Sequence, residues 1–201
     1  MSIIPTLIER HTDATYRLIN DTAIELLERT SPSELTMRAV AQQAGMSERT
    51  IFRYYPSREE FLDAIARAVY GRFETPLPPS SLRELARYPR DLYICFERHA
   101  VLVRATLHNE IAIRIRHGVG KERWDAVREL IDAGAPHRSE RDRRIAAANV
   151  DYYLTATAWQ LFRFHFGLPL ADTILAAQTA VRLAIREIVS RRMAPARASP
   201  V

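Results

Sequence analysis

The chain has 201 residues, 47% of them hydrophobic and 26% charged, which is enough to bury a core and excludes a wholly disordered chain. Its one cysteine, Cys95, excludes an intramolecular disulfide and a multi-cysteine zinc site, and no apolar run approaches the ~20 residues of a membrane span. The net charge of +5 is unevenly placed: residues 76–201 hold the basic excess and residues 1–75 are slightly acidic, yet 36–58 is locally positive, with Arg38, Arg49, Arg53 and Arg58 against Glu48 alone.

Apolar residues recur at three-and-four spacing, without sustained alternation and without an Asn-Gly or Asp-Gly hairpin turn, which predicts an all-α chain. The opening residues show no basic segment followed by an apolar one, so no secretory signal is expected and a cytoplasmic protein is the default. The first helix carries Leu18, Ile19, Thr22, Ala23, Leu26 and Leu27 and ends near Arg29, before Ser31-Pro32-Ser33. Thr36 suits the N-cap of a short helix through Gln43, and Ala44-Gly45-Met46 forms a turn. Ser47 caps a helix of about two turns that stops before Pro56. Ser57 to Glu60 reads as a capping box, opening a longer helix with Phe61, Leu62, Ile65, Ala68, Val69 and Phe73. Thr75 to Ser81, rich in proline, ends that helix and marks a domain boundary, giving domains 1–75 and 76–201. Beyond it the periodicity predicts helices over 82–97, with Pro89 a point of splitting or kinking, and over 99–117, 121–134, 141–166 and 171–193.

Three short helices with a tight turn between the second and third form a helix-turn-helix layout, its motif at 36–55. Small Ala41 lets the third helix approach, Gly45 fits a turn of positive φ, and branched Ile51 plugs the core between the helices, with Val40 and Met46 filling the rest. Over 35–62 the chain reads Leu-Thr-Met-Arg-Ala-Val-Ala-Gln-Gln-Ala-Gly-Met-Ser-Glu-Arg-Thr-Ile-Phe-Arg-Tyr-Tyr-Pro-Ser-Arg-Glu-Glu-Phe-Leu. This resembles the N-terminal domain of the tetracycline-repressor (TetR) family of bacterial transcriptional regulators, over about 15–65. The helical region that follows is similar in length to that family's ligand-binding and dimerisation domain.

The resemblance implies that Thr36 caps the second helix and touches a phosphate, and that Arg38 lies near the backbone or a base edge. Ser47, Glu48, Arg49 and Thr50 would open the recognition helix, the end that meets base edges in the major groove. Arg53 faces DNA or solvent, Tyr54 would contact phosphate, and Arg58 stands at the family's lysine position, where a basic side chain and free amides favour a phosphate. Two residues depart from the pattern. Phe52 replaces a tyrosine and removes a hydroxyl, and Tyr55 replaces a core phenylalanine, so its phenol needs a partner or a path to water. The expected partner is double-stranded operator DNA, an inverted repeat bound by a dimer, with the protein at the nucleoid when bound.

In the second half, the 141–166 helix is apolar on two faces. Ile145, Ala148, Tyr152, Ala156, Trp159 and Phe162 form one stripe, and Val150, Leu154, Ala158, Leu161 and Phe164 form another. The last helix, with Ile174, Leu175, Val181, Leu183, Ile185, Ile188 and Val189, is similar. Helices apolar nearly all round are buried on both sides, so 141–193 is read as core and homodimer seam together. Candidates for a small-molecule effector site are Tyr93, Phe96, His99, Leu102, Leu107, Ile111, Trp124, Tyr152 and Trp159, with Ala156 beside Trp159 and with Arg104, Asn109 or Arg116 as polar anchors. A partly apolar effector is expected, and the basic excess favours an anion or carboxylate. Such an effector would release a repressor from DNA by differential affinity for two conformations. Cys95 and His99 lie four apart on one helical face, but no orienting acid or oxyanion site accompanies them. The histidines 99, 108 and 117 are too widely spaced for a paired-histidine metal motif. No catalytic residue, metal or cofactor is assigned. An interaction module that has lost DNA binding, and a small-molecule enzyme, are the competing classes.

Overall fold

The computed structural model describes residues 7–30 and 35–190, and the described residues contain helices and no strand, an all-α fold. The first four helices are α1 (Leu7–Arg29), α2 (Met37–Gln43), α3 (Glu48–Tyr54) and α4 (Arg58–Arg72). Next come α5 (Leu82–Leu85), α6 (Tyr88–Arg98), α7 (Ala100–Thr106), α8 (Glu110–His117) and α9 (Val119–Gly134). The last are α10 (Glu140–Tyr152), α11 (Ala156–Gln160), a π-helical turn (Leu161–His165) and α12 (Leu170–Val189).

Three long helices expected from the periodicity are each broken. The 82–97 helix divides at Ala86 and Arg87, just ahead of Pro89, which sits in the first turn of α6, where a missing N–H is harmless. The 99–117 helix breaks at Asn109, whose Oδ1 accepts from the N–H groups of Ile111 and Ala112 and starts α8 afresh. The 141–166 helix breaks at Thr155, whose hydroxyl oxygen accepts from the Ala158 N–H and donates to the Tyr152 carbonyl. Thereafter it passes into the π turn, closed by Phe166 N–H to the Leu161 carbonyl. The two stripes expected on 141–166 therefore do not run along a single helix. α12 ends at Val189, and the expected continuation to 193 falls partly outside the described residues.

The chain divides into two compact units. One comprises the described residues up to Pro76 with Ile94–Lys121, the other Leu77–Tyr93 with the described residues from Glu122 onward. Segment 94–121, which the sequence reading assigns to the second domain, thus belongs with the first unit. The prolines after α4 do end that helix, but the chain returns. α7 packs on α1 and α8 packs on α4, burying Leu102, Val103, Ile111 and Ala112.

In the first unit, α1 packs against α2 and α4 through Ile19, Ala23, Ile24 and Leu27, while Leu18 faces solvent. Phe61, Leu62, Ile65 and Val69 supply the α4 side of that core. Each large side chain fully buried in this cluster contributes roughly 1.5–3 kcal/mol relative to an exposed one. In the second unit, α10 packs on α12 through Ala146, Ala147, Val150, Ala177 and Val181. Small residues at that contact let the helix axes approach closely. A Cβ at Gly134 would press on the tip of the Leu82 side chain, which would have to turn aside.

Candidate nucleic-acid interface

The helix-turn-helix forms as its residues dictate. Thr36 is in extended conformation and its hydroxyl oxygen accepts from the Ala39 N–H at 3.0 Å, starting α2. Gly45 has φ +66°, a left-handed conformation that glycine adopts without penalty. The turn closes with Met46 N–H donating to the Ala41 carbonyl. Ser47 accepts from the Thr50 N–H at 3.1 Å and its hydroxyl lies 2.8 Å from that of Thr50, which starts α3. Val40, Ala41 and Ile51 are buried where α2 meets α3, and Met46 is half-buried.

Ile51 is the buried residue of α3. At 100° per residue, Arg49 and Arg53 fall on the opposite side and Phe52 on the flank between; all three are exposed, as is Glu48 at the helix start on the Ile51 side. Thr50 is half-buried at the margin, and Thr36 and Arg38 are exposed on the neighbouring α2. The outward side of α3 thus presents two guanidinium groups and an aromatic ring, with a carboxylate exposed at the helix start and a third guanidinium on α2. Long Arg forks can reach base edges and phosphates alike. Among the described residues, Arg38, Arg49 and Arg53 carry no ion pair, so their charge is available to an anionic partner. The Arg53 guanidinium lies 5.2 Å from the centre of the Tyr54 ring.

The two tyrosines that end α3 are used differently. Tyr54 is half-buried, edge-on to Tyr16 at 4.9 Å, and hydrogen bonding with Thr15 holds its phenol below the usual tyrosine range. Tyr55 is buried, and its hydroxyl donates to Asn20 Oδ1 at 2.7 Å. That bond is the partner its replacement of phenylalanine requires. Burial pushes its pKa up to about 12, so it stays a neutral donor. Phe52, by contrast, is 46% exposed on the outer face of α3.

Ser57 accepts from the Glu60 N–H at 3.2 Å and its hydroxyl reaches Glu60 Oε1, which starts α4. Arg58, the first residue of α4, is exposed but engaged. Its two terminal nitrogens donate to the two oxygens of Glu110, both at 2.8 Å. The bound guanidinium holds the Glu110 carboxyl below the usual carboxylate range. One turn further along α8, Arg114 pairs with both Glu59 and Asp63. Sequence reading singled out none of Glu110, Arg114, Glu59 or Asp63. The only local signal was the Asn109-Glu110 start of a helix, which says nothing of α4.

The expected effector residues fall in both units. Phe96, His99 and Arg104 belong to the first, and Tyr93, Trp124, Tyr152, Ala156 and Trp159 to the second. Tyr93 and Trp159 are fully buried, with the Tyr93 hydroxyl donating to the Tyr153 carbonyl and Trp159 edge-on to Phe164. Phe96 is buried, Arg104 and Tyr152 are exposed, and Trp124 and Ala156 are half-buried. A cleft of about 880 Å³ lies elsewhere, in the first unit, lined by Tyr16, Arg17, Tyr54, Asp63 and Arg67 among others. None of the expected effector residues lines it. Cys95 and His99 form no thiol–imidazole pair. The buried Cys95 thiol donates to the Phe73 carbonyl and burial raises its pKa, while His99 packs against the Phe73 ring.

Residues 19–65 match the family model described as bacterial regulatory proteins, tetR family. The matched span runs from the core of α1 through α2, the turn and α3 into α4. It supports DNA binding and transcription regulation for this region. No curated protein matches the chain. Among solved structures, a TetR transcriptional regulator from Rhodococcus sp. RHA1 is similar, with 18% identity over 92% of this chain and 99% of that chain and a TM-score of 0.48. No helix among the described residues is long and apolar enough to cross a membrane.

Proposed function

We infer, from a chain whose residues 19–65 are those of the tetR family, that it is a ligand-released repressor that binds an inverted-repeat operator as a homodimer. The observation that carries this reading is the outer face of α3. Arg49, Phe52 and Arg53 stand exposed together while Ile51 anchors the helix from behind, and Glu48 is exposed at the helix start. In the bound state Arg49 reads a base edge. Thr36, Ser47, Thr50 and Tyr54 position the backbone, with Arg38 and Arg53 beside them, and Arg58 meets phosphate. A regulator of this kind acts by occupancy, so the reading assigns no catalytic group.

The dimer reading is supported by the apolar side chains that the second unit leaves exposed: Ile145, Leu161, Phe164, Phe166, Leu175 and Leu183. Exposed apolar groups in such number within one region mark an interaction surface. All but Phe166 belong to the helix stripes from which the 141–193 seam was read. The effector is placed in the second unit beside Trp124 and Tyr152, where Arg123 binds Asp151 at 2.7 Å and the Arg128 guanidinium lies over the Trp124 ring. Aromatic surface next to arginines suits a partly apolar anion.

Selection of binding sites from random DNA, followed by footprinting, tests the reading. The expected footprint covers two half-sites related by inversion, about one helical turn apart or a multiple of it. A protein that binds every duplex equally, or one asymmetric half-site at full affinity, overturns it.

A further inference from the structure

Arg38, Arg49, Arg53 and Arg58 make residues 36–58 positive, and among the described residues Arg58 alone of these four is ion-paired. Its position should suit a phosphate. It opens the fifteen-residue α4, where the helix dipole and the first-turn amides that Ser57 leaves uncapped favour an anion. The anion that the structure places there is a side chain of the same protein. Both Glu110 oxygens take both terminal Arg58 nitrogens at 2.8 Å, the two-pronged geometry in which a guanidinium also grips a phosphate. A phosphate approaching the remaining Nε–H edge would meet the Glu110 charge.

Glu110 is held where it is by its own helix. Asn109 caps α8, Ile111 and Ala112 are buried directly behind Glu110, and Arg114 ties the next turn to Glu59 and Asp63 on α4. The Arg58–Glu110 pair itself is half in solvent, with side-chain exposures of 55% and 54%. Exposed pairs of this kind are weak enough to exchange. We propose that Glu110 is an internal competitor for the DNA phosphate at Arg58, so that the α4–α8 contact holds DNA affinity below what the interface alone would give. The proposal rests on the DNA-binding reading above.

Because phosphates carry no sequence, a fluorescently labelled random-sequence duplex is a sufficient probe. Anisotropy titrations at low salt compare the full chain with Glu110→Gln, Arg58→Ala and the double variant, and melting curves confirm that each is folded. Glu110→Gln is expected to tighten binding by up to about fivefold for each DNA-binding head. In the Arg58→Ala background the same change should do nothing. Glu110→Ala should act in the same direction as Glu110→Gln. Unchanged affinity in Glu110→Gln overturns the proposal. So does equal tightening in both backgrounds, since removing a nearby negative charge would then explain it without Arg58. If the unaltered chain binds the duplex and either result is found, the competitor fails and DNA binding stands. If it binds no duplex at low salt, both fail.

Discussion

Tyr55 shows how one buried hydroxyl is satisfied within a core. Its bond to Asn20 at 2.7 Å links the end of α3 to α1 within the first core. Tyr55→Phe leaves Asn20 Oδ1 without that donor, and about 1 kcal/mol of stability should be lost in urea unfolding. Arg49 and Arg58 separate two kinds of contact. Arg49→Ala should chiefly narrow the gap between operator and random DNA, by roughly 1–3 kcal/mol if its contact is bidentate. Arg58→Ala should weaken both DNAs alike and lower the log-salt slope by about one per head. Titrating both variants on both DNAs across a salt series checks the division, and an exchange of the two effects would contradict it. Phe52 sits exposed on α3 and carries no hydroxyl. Phe52→Tyr should therefore raise affinity for specific and random duplex equally.

At the scale of elements, caps decide where helices begin, and their legibility differs along the chain. Thr36, Ser47 and Ser57 were readable because each is a good capping residue just ahead of a run with helical apolar spacing, Ser47 after the Gly45 turn and Ser57 after Pro56. Asn109 and Thr155 were not, because apolar spacing continues across both breaks and imitates one long helix. Thr155→Ala should cost about 1 kcal/mol, and Thr155→Ser should restore most of it, as measured by thermal unfolding. The outward face of α3 followed from its sequence, since a seven-residue helix with one buried branched residue has one possible outside. The Arg58–Glu110 and Arg114–Asp63 pairs could not be read in this way. Charges fifty residues apart carry no address, and only the packing of α8 on α4 brings them together.

For the whole molecule, the exposed apolar groups of the second unit make a prediction that separates folding from assembly. Leu161 is 40% exposed within a single chain, so Leu161→Glu should leave the fold of the chain nearly unchanged. In a dimer that covers this residue, the same carboxylate would be buried without a partner, at a cost of several kcal/mol. Sedimentation equilibrium should then show the unaltered chain as a dimer at micromolar concentration and the variant as a folded monomer. A monomeric unaltered chain would remove the seam.

The lone thiol offers a way to time the first unit. Cys95 is 5% exposed, and its hydrogen bond ends at Phe73, which closes the far end of the helix that begins with Arg58. A neutral thiol so placed is a poor nucleophile, so alkylation should proceed only through molecules whose α4 end has come away from Cys95. With one cysteine in the chain, the labelling rate becomes a single-site clock for that opening, read by the mass of the alkyl group gained. Divided by the rate for an unfolded chain, it gives the opening free energy directly. Repeating it with DNA present would show whether an anion at one end of α4 tightens the other.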